Sequence, residues 1–428
     1  MSKRGNHIDK WLGILTIAMA LGTSWAIRGQ FGHEQGAAWA GGIGTLVLVL
    51  VSQREDWYSK VLPVILSSAF GWGLTGMISY GRVVGYGRSD DLVNVFYGLS
   101  MLFVIGGLFG LIGGGFTALS LESTKNKKVN WPSLIVEMTA GALVVYGLLV
   151  MQLEVLMTPP RSEAWALSLG AGLAMVWYML RNGFLNSFRV AFYTALGAGF
   201  GFAFGNFLQT VGTVLELPFN MWNVMEYCIG FFGGGSMAYA IFASEWPISE
   251  KEPQKWENSI AFLAVFVCIP VIIFRESLQM KNFLSRFHDF DKSGDISLIS
   301  TILSALFIVL AVLFIWLLLR RVNFKVKRQE ILWVTTIYFG LYIILSFLVT
   351  GIVSGRVMLN HILYVANLAV ILKLIKKSSV EFFAAMPNEK KNKYYLRYLV
   401  LLLFVVSILS LISVGIHGEM AGAHNRFG

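Results

Sequence analysis

Thirteen apolar blocks of about 17 to 25 residues divide the chain, and they constrain its fold more than any other feature. A block of this length crosses the ~30 Å hydrocarbon core of a bilayer as one α-helix. Only 14% of the 428 residues are charged, against roughly a quarter in soluble domains. The alternating ten-residue segments of outer-membrane barrels do not occur. The sequence therefore predicts an all-α, polytopic integral membrane protein with about 13 transmembrane helices. The blocks lie near residues 11–27, 37–52, 61–79, 95–120, 132–151, 164–180, 190–212, 226–243, 260–275, 298–319, 331–352, 357–375 and 397–416.

Basic residues are unevenly distributed over the connections between these blocks. The N-terminus and every second connection carry 24 of the 34 Lys and Arg residues, and the remaining connections with the C-terminus carry 10. Cytoplasmic loops are enriched in Lys and Arg, so the N-terminus is predicted to be cytoplasmic and the C-terminus outside. This topology predicts a multi-pass protein of the cell inner (cytoplasmic) membrane. The net charge of +10 then suits contact with anionic lipid headgroups. The basic residues are not interleaved with aromatic residues as in a nucleic-acid-binding groove, so the sequence does not predict nucleic-acid binding.

Glycine content separates two regions. Residues 1–243 hold 36 of the 44 glycines and are predicted to form a close-packed bundle of eight spans, whereas residues 244–428 form a five-span bundle rich in Leu, Ile and Val. Gly197, Gly201 and Gly205 show the four-residue spacing that lets membrane helices approach closely. The glycine triplets at 113–115 and 233–235 stand in similar surroundings, which is consistent with a repeat of four spans plus four or with shared composition alone.

Polar residues near the apolar blocks gather on the predicted outer side. The densest group is the turn that contains Arg28, Gln30, His33 and Glu34, which glycines bracket. Ionisable groups at membrane depth are costly unless they pair or line a wet cavity, so they indicate function, although span-end anchors have the same composition. The candidates for a substrate-binding site are Arg28, Gln30, His33, Glu34, Arg82, Arg88, Asn206, Gln209, Glu226, Arg356, Asn360 and His361. Pairing of Arg82 or Arg88 with Asp90 or Asp91 is the alternative that would leave no free binding site.

Residues 289–300 read DFDKSGDISLIS, and they resemble the first part of an EF-hand calcium loop. The resemblance implies weak structural calcium binding, because Ser300 replaces the bidentate Glu at the twelfth position. The alternative is an ordinary polar turn. The implied ligands are Asp289, Asp291, Ser293, Asp295 and Ser297.

Three functions fit this pattern. The favoured hypothesis is a transporter for a small polar solute, because thirteen spans with close glycine packing and a possible repeat suit a transporter. Arginine forks bind anionic groups, so the solute is expected to be anionic or sugar-like, and Pro270 would kink a moving helix. The inner half offers few polar residues beyond Thr45, Ser67, Ser68 and Glu137, an observation that favours an enzyme or receptor instead. The second is a membrane-embedded transferase or hydrolase with an outward-facing site, in which His33 is the general base and Glu34 orients it. The third is a non-catalytic sensor or assembly subunit.

Overall fold

The computed structural model describes residues 3–249, 252–377 and 395–427, and these residues form seventeen α-helices and no β-strand. Ten helical stretches in them are long and apolar enough to cross a membrane, and Val61–Met77 is a shorter apolar stretch. The prediction of an all-helical, multi-pass membrane protein is therefore confirmed. The helices are α1 (Lys3–Arg28), α2 (His33–Ser52), α3 (Glu55–Ser59), α4 (Val61–Leu74), α5 (Gly81–Tyr86), α6 (Leu92–Glu122), α7 (Trp131–Tyr146), α8 (Ala164–Arg181), α9 (Leu185–Val214), α10 (Met221–Phe242), α11 (Lys255–Phe262), α12 (Ile269–Ser277), α13 (Met280–Arg286), α14 (Ser293–Arg321), α15 (Arg328–Thr350), α16 (Leu359–Lys377) and α17 (Tyr395–Ile416).

Local chemistry explains where several of these helices begin and bend. Asp91 caps α6 by accepting a hydrogen bond from the backbone N–H of Asn94 at 2.9 Å. The helix α15 ends at Gly351, whose φ of 104° is a left-handed conformation that glycine adopts without strain. A π-helical segment, Leu263–Cys268, joins α11 to α12 directly before Pro270, because proline cannot donate the backbone hydrogen bond of a regular helix.

Six helices form a closed ring. In order around it, α1, α2, α4, α6, α9 and α10 each pack on the next, and α10 returns to α1. The pair α7 and α8 packs outside the ring on α6 and α9, and α17 covers the same two helices. On the other side, α15 contacts α2 and α16 contacts α1. The ring therefore encloses a central region that the outer helices shield.

Small residues make the ring tight. Gly197, Gly201 and Gly205 of α9 all face α10, where an added Cβ would overlap backbone or side-chain atoms. Gly230 of α10 meets α1 at the carbonyl oxygen of Leu21 in the same way. The four-residue glycine spacing thus produces the backbone approach that it predicts.

Contacts between connections show that alternate connections meet at the same end of the bundle. At one end, Gln35 donates to Glu276 at 2.5 Å, and the Arg426 guanidinium donates to the carbonyl oxygen of Leu156 at 3.0 Å. At the other end, which carries most of the basic residues, Asn186 donates to the carbonyl oxygen of Glu245 at 2.6 Å. We name these ends the outer face and the basic face. The orientation of the two faces in a membrane remains the prediction from the basic residues.

Candidate functional site

A cavity of about 950 Å³ opens at the outer face, above the ring. The turn between α1 and α2 forms one wall, the segment before α5 forms another, and the start of α10 forms a third. The C-terminal tail and residues 160–161 border its mouth. The polar and charged side chains that line it are Gln30, His33, Glu34, Ser79, Tyr80, Arg82, Arg161, Asn220, Asn223, Glu226 and His424.

The cavity ends on a polar network, which we call the floor and define as Arg28, Glu226, Tyr80 and His33. The first three residues are buried, whereas His33 is exposed to the cavity. Arg28 is completely buried, and its Nε and Nη2 atoms lie 3.0 and 2.9 Å from Glu226 Oε2. The Tyr80 hydroxyl donates to the other Glu226 oxygen at 2.7 Å and accepts from Arg28 Nη2 at 2.9 Å. Both carboxylate oxygens are therefore bonded, and the paired charges cancel, as burial of an ion pair requires.

The His33 ring contacts two other residues of the floor. Its Nδ1 atom lies 3.3 Å from Arg28 Nη1 and 3.2 Å from the Tyr80 hydroxyl. Because a guanidinium can only donate, Nδ1 accepts, and the ring proton of a neutral imidazole is on Nε2. Glu34 lines the cavity beside His33 but makes no hydrogen bond to its ring. The expected pair of a base and its orienting carboxylate is therefore not formed in this structure.

An aromatic layer closes the ring beneath the floor. The Arg28 guanidinium lies over the Trp25 ring, 4.6 Å from its centroid, and Trp25 contacts Trp72 at 5.0 Å between ring centroids. Phe109 and Phe202 extend the layer, and all four rings are fully buried. These contacts join α1, α4, α6 and α9 across the middle of the ring.

Glycines of three helices form the slot that holds Trp72. A Cβ added at Gly41 of α2 or Gly113 of α6 would overlap the Trp72 ring, and a Cβ at Gly233 of α10 would lie 3.5 Å from it. The two glycine triplets of the sequence thus converge on one indole. This convergence gives them a packing role whether or not the chain contains a repeat.

Hydroxyl groups lie one helical turn beyond the aromatic layer. Thr45 and Thr117 both donate to the Ser68 hydroxyl, at 2.7 and 2.9 Å, and all three residues are buried. Each stands four residues from Gly41, Gly113 or Trp72 along its own helix. Polar groups therefore resume inside the ring on the side toward the basic face.

Arg82, Arg161 and His424 border the mouth, and we call them the rim. Arg82 Nη1 lies 3.1 Å from His424 Nδ1. Within the described residues, neither Arg82 nor Arg161 forms an ion pair with a carboxylate. The alternative in which Arg82 pairs with Asp90 or Asp91 is thus not observed. Partial burial and the Arg82 guanidinium both lower the pKa of His424.

The C-terminal tail is docked on the outer face. The backbone N–H of His424 donates to the carbonyl oxygen of Gly85 at 3.0 Å. The Asn94 side-chain oxygen Oδ1 accepts hydrogen bonds from the backbone N–H groups of Arg426 and Phe427 at 2.5 and 2.9 Å. These bonds hold His424 at the cavity wall.

Gln30 connects the cavity to a second polar cluster between α15 and α16. Its side-chain oxygen accepts from the Ser346 hydroxyl at 2.7 Å. His361 Nε2 lies 2.8 Å from the Thr350 hydroxyl and 3.1 Å from that of Ser346. His361 is buried in this cluster, and the neighbouring Asn360 is also buried; neither of these predicted residues lines the cavity.

The structure places four other predicted residues apart from the cavity. Asn206 and Gln209 bond to each other at 3.2 Å, and Asn206 also reaches the carbonyl oxygen of Val84, so the pair fastens α5 to α9. Arg88 extends toward Thr213 at 3.5 Å. Arg356 is exposed and lies over the Phe290 ring. Asn206 thus lies against α5 and Arg356 lies beside the segment before α14, so these residues do not converge on the cavity.

The predicted calcium loop takes a different local form from an EF-hand. Asp289 and Asp291 lie in a turn, but α14 already begins at Ser293, so Asp295 and Ser297 belong to a regular helix and do not wrap around an ion. Among the described residues, no group of three His, Cys, Asp or Glu side chains has metal-binding spacing. The geometry gives calcium no support, and its binding stays a prediction.

Sequence reasoning missed several residues of the site. Tyr80 stands at the end of a span, where tyrosine is normally an interfacial anchor, so its role as a bridge had no distinct signal. Asn223 precedes Glu226 by three residues and therefore shares its helix face, a spacing that does point to the cavity. Its amide donates to the Tyr364 hydroxyl at 2.6 Å. Arg161 lies in a connection whose path the sequence does not indicate.

Comparison with known proteins gives no relative from which this site can be interpreted: no family model, curated protein or solved structure matches the chain.

Proposed function

We propose that this protein is a membrane transporter for a small polar solute with an anionic group, and that the outer cavity is its outward-facing entrance. The observation that carries this proposal is the order of layers inside the ring. A polar cavity, a floor with the buried ion pair of Arg28 and Glu226, an aromatic layer and a hydroxyl cluster follow one another along the ring axis. A transporter needs polar groups on both sides of a closed gate, whereas an enzyme needs none beneath its site.

The charges at the rim favour an anionic group on the solute. Arg82 and Arg161 both face the cavity without a carboxylate partner in the described residues. The Arg28 charge, by contrast, is already matched by Glu226. Guanidinium groups bind carboxylate, sulfate and phosphate through paired hydrogen bonds. Gln30, Asn220 and Asn223 add neutral hydrogen-bonding groups for the rest of the solute.

The aromatic layer serves as the closed gate in this proposal. Trp72 fills a slot bounded by glycines of α2, α6 and α10, so its ring has no bulky side chain on those faces. Because glycines flank the Trp72 indole, α2, α6 and α10 present no side chain that would block their movement past it. Withdrawal of Trp72 from the slot would connect the floor to Thr45, Ser68 and Thr117.

The enzyme hypothesis has weaker support. His33 faces a guanidinium and a tyrosine instead of an orienting carboxylate, so it lacks the partner that a general base normally uses. A non-catalytic sensor would share the cavity but would not move solute. We infer residence in the cytoplasmic membrane from the basic residues.

The experiment uses purified protein in liposomes with a panel of radiolabelled probes: inorganic phosphate, sulfate and small carboxylates. We expect uptake of at least one probe, recovered chemically unchanged. Replacement of Arg82 and Arg161 together by Ala should weaken its apparent affinity by about 10- to 100-fold, the effect of losing charge-assisted hydrogen bonds. Arg356→Ala is the matched control, because Arg356 is an exposed outer-face arginine outside the cavity. Recovery of a converted product would favour the enzyme, and equal affinity in both variants would refute the rim as the binding site.

A further inference from the structure

A second hollow lies near the basic face, on the outside of the ring. Its polar part, of about 240 Å³, lies beside the start of α4 and the end of α6. Its apolar part, of about 500 Å³, runs between α4, α6, α7 and α11 toward the middle of the membrane. Pro63, Ser120, Trp131 and Glu257 line both parts, so the two form one continuous groove.

The apolar part is open to the bilayer. Phe116 forms its inner wall and is buried, whereas Phe70 and Ile260 on its edges are 46% and 50% exposed. These residues belong to helices of the membrane bundle, so their exposed faces meet hydrocarbon. A concave apolar groove of this kind fits a hydrocarbon chain.

The polar part carries positive charge. Lys60 and Lys128 line it, and within the described residues neither forms an ion pair with a carboxylate. The Lys60 ammonium donates to the carbonyl oxygens of Ser120, Leu121 and Ser123 at 3.4, 2.7 and 3.3 Å, so Lys60 contributes its charge to the groove. Burial lowers the pKa of Lys60 to about 8, so a nearby anion would stabilise its charged form.

Other groups in the groove suit a headgroup at this depth. Glu257 also lines the groove, and its carboxylate accepts a hydrogen bond from the backbone N–H of Gln254 in the N-terminal cap of α11. Trp256 is exposed, and with Trp131 it brackets the boundary between the polar and apolar parts. Tryptophan prefers the headgroup level of a bilayer. The groove thus places cationic, aromatic and apolar surfaces in the order in which a lipid presents phosphate, glycerol and acyl chain.

We propose that this groove binds one anionic glycerophospholipid, with its phosphate at Lys128, near the charge of Lys60, and one acyl chain between Phe70, Phe116 and Ile260. The charge of the polar part selects an anionic lipid over a zwitterionic one, because each lysine near a membrane surface contributes about 1 kcal/mol toward anionic lipid. This assignment does not depend on what the outer cavity binds.

The test measures lipid binding to the detergent-purified full chain by native mass spectrometry, with phosphatidylglycerol and phosphatidylcholine of identical acyl chains. We expect the first lipid to bind more tightly, and Lys128→Ala to weaken its binding about fivefold, the factor that ~1 kcal/mol represents. Lys125→Ala is the matched control, since Lys125 is an exposed lysine of the same connection outside the groove. Ile260→Trp should weaken both lipids by filling the apolar part.

Three outcomes would overturn the proposal: equal binding of the two lipids, equal effects of Lys128→Ala and Lys125→Ala, or no effect of Ile260→Trp. Inorganic phosphate provides a further arm. If phosphate alone raises the unfolding temperature as much as phosphatidylglycerol does, the site binds a free anion and the acyl groove is unrelated to it.

Discussion

The floor and the rim of the outer cavity use the same residue type in opposite ways. Arg28 in the floor is completely buried. Glu226 balances its charge, and Glu226, Tyr80 and His33 accept its hydrogen bonds. Arg82 in the rim is half-buried and has a neutral histidine as its neighbour. Burial of an ion pair costs desolvation free energy that apolar side chains of the same volume would not cost. The floor therefore favours one fixed arrangement of its polar groups over maximal stability. The rim retains the positive charge that a solute can neutralise.

The largest expected effect comes from breaking the floor. Glu226→Gln removes the counter-charge of Arg28 and leaves a buried guanidinium, which should destabilise the protein by about 3 to 5 kcal/mol. Thermal unfolding in detergent measures the loss. Glu216→Gln is the control, because Glu216 is an exposed outer-face glutamate outside the cavity, and its effect should be close to zero.

A double variant tests whether the two floor residues act as a pair. Arg28→Met combined with Glu226→Gln removes both charges, so its destabilisation should be smaller than the sum of the two single losses. Simple additivity of the two losses would show that the pair is not coupled and would remove the distinction between floor and rim.

A smaller effect is expected from the slot that holds Trp72 under the floor. Gly113→Ala places a methyl group against the Trp72 ring, so overpacking should cost about 1 to 3 kcal/mol and slow transport. On the same helix, a Cβ at Gly107 would lie 3.6 Å from the carbonyl oxygen of Ala195, an ordinary contact. Gly107→Ala should therefore be neutral or stabilising by up to about 1 kcal/mol.

The slot can be probed further by replacing Trp72 with a smaller aromatic residue. Trp72→Phe should recover part of the stability that Gly113→Ala loses, because the phenyl ring leaves room for the added methyl group. Equal losses for Gly113→Ala in both backgrounds would contradict contact with Trp72 as the cause.

The sequence contained most of the floor but little of the packing that surrounds it. Arg28 and His33 could be identified because a short turn between two spans, with glycines on both sides, places its polar side chains between the helices. Asn206 looked equivalent by its residue type and depth, yet it fastens α5, because a connection that folds back as a helix leaves no periodic signal. Trp72 was unrecognisable for a related reason: its slot forms from glycines on three helices that are far apart in the chain.

The smallest expected effect concerns pH at the rim. Burial and Arg82 lower the pKa of His424 in the docked tail, so docking favours the neutral ring. The stabilisation is therefore complete above the ordinary histidine pKa of about 6.5 and is lost as pH falls through the lowered value. Hydrogen exchange of the Arg426 and Phe427 amides, corrected for intrinsic rates, should show weaker protection at pH 5 than at pH 7.5, because both amides are bonded to Asn94 only in the docked tail. Arg82→Gln should flatten this dependence by removing the neighbouring charge. Protection that is independent of pH in the unmodified protein would mean that docking of the tail does not lower the pKa of His424, either through burial or through Arg82.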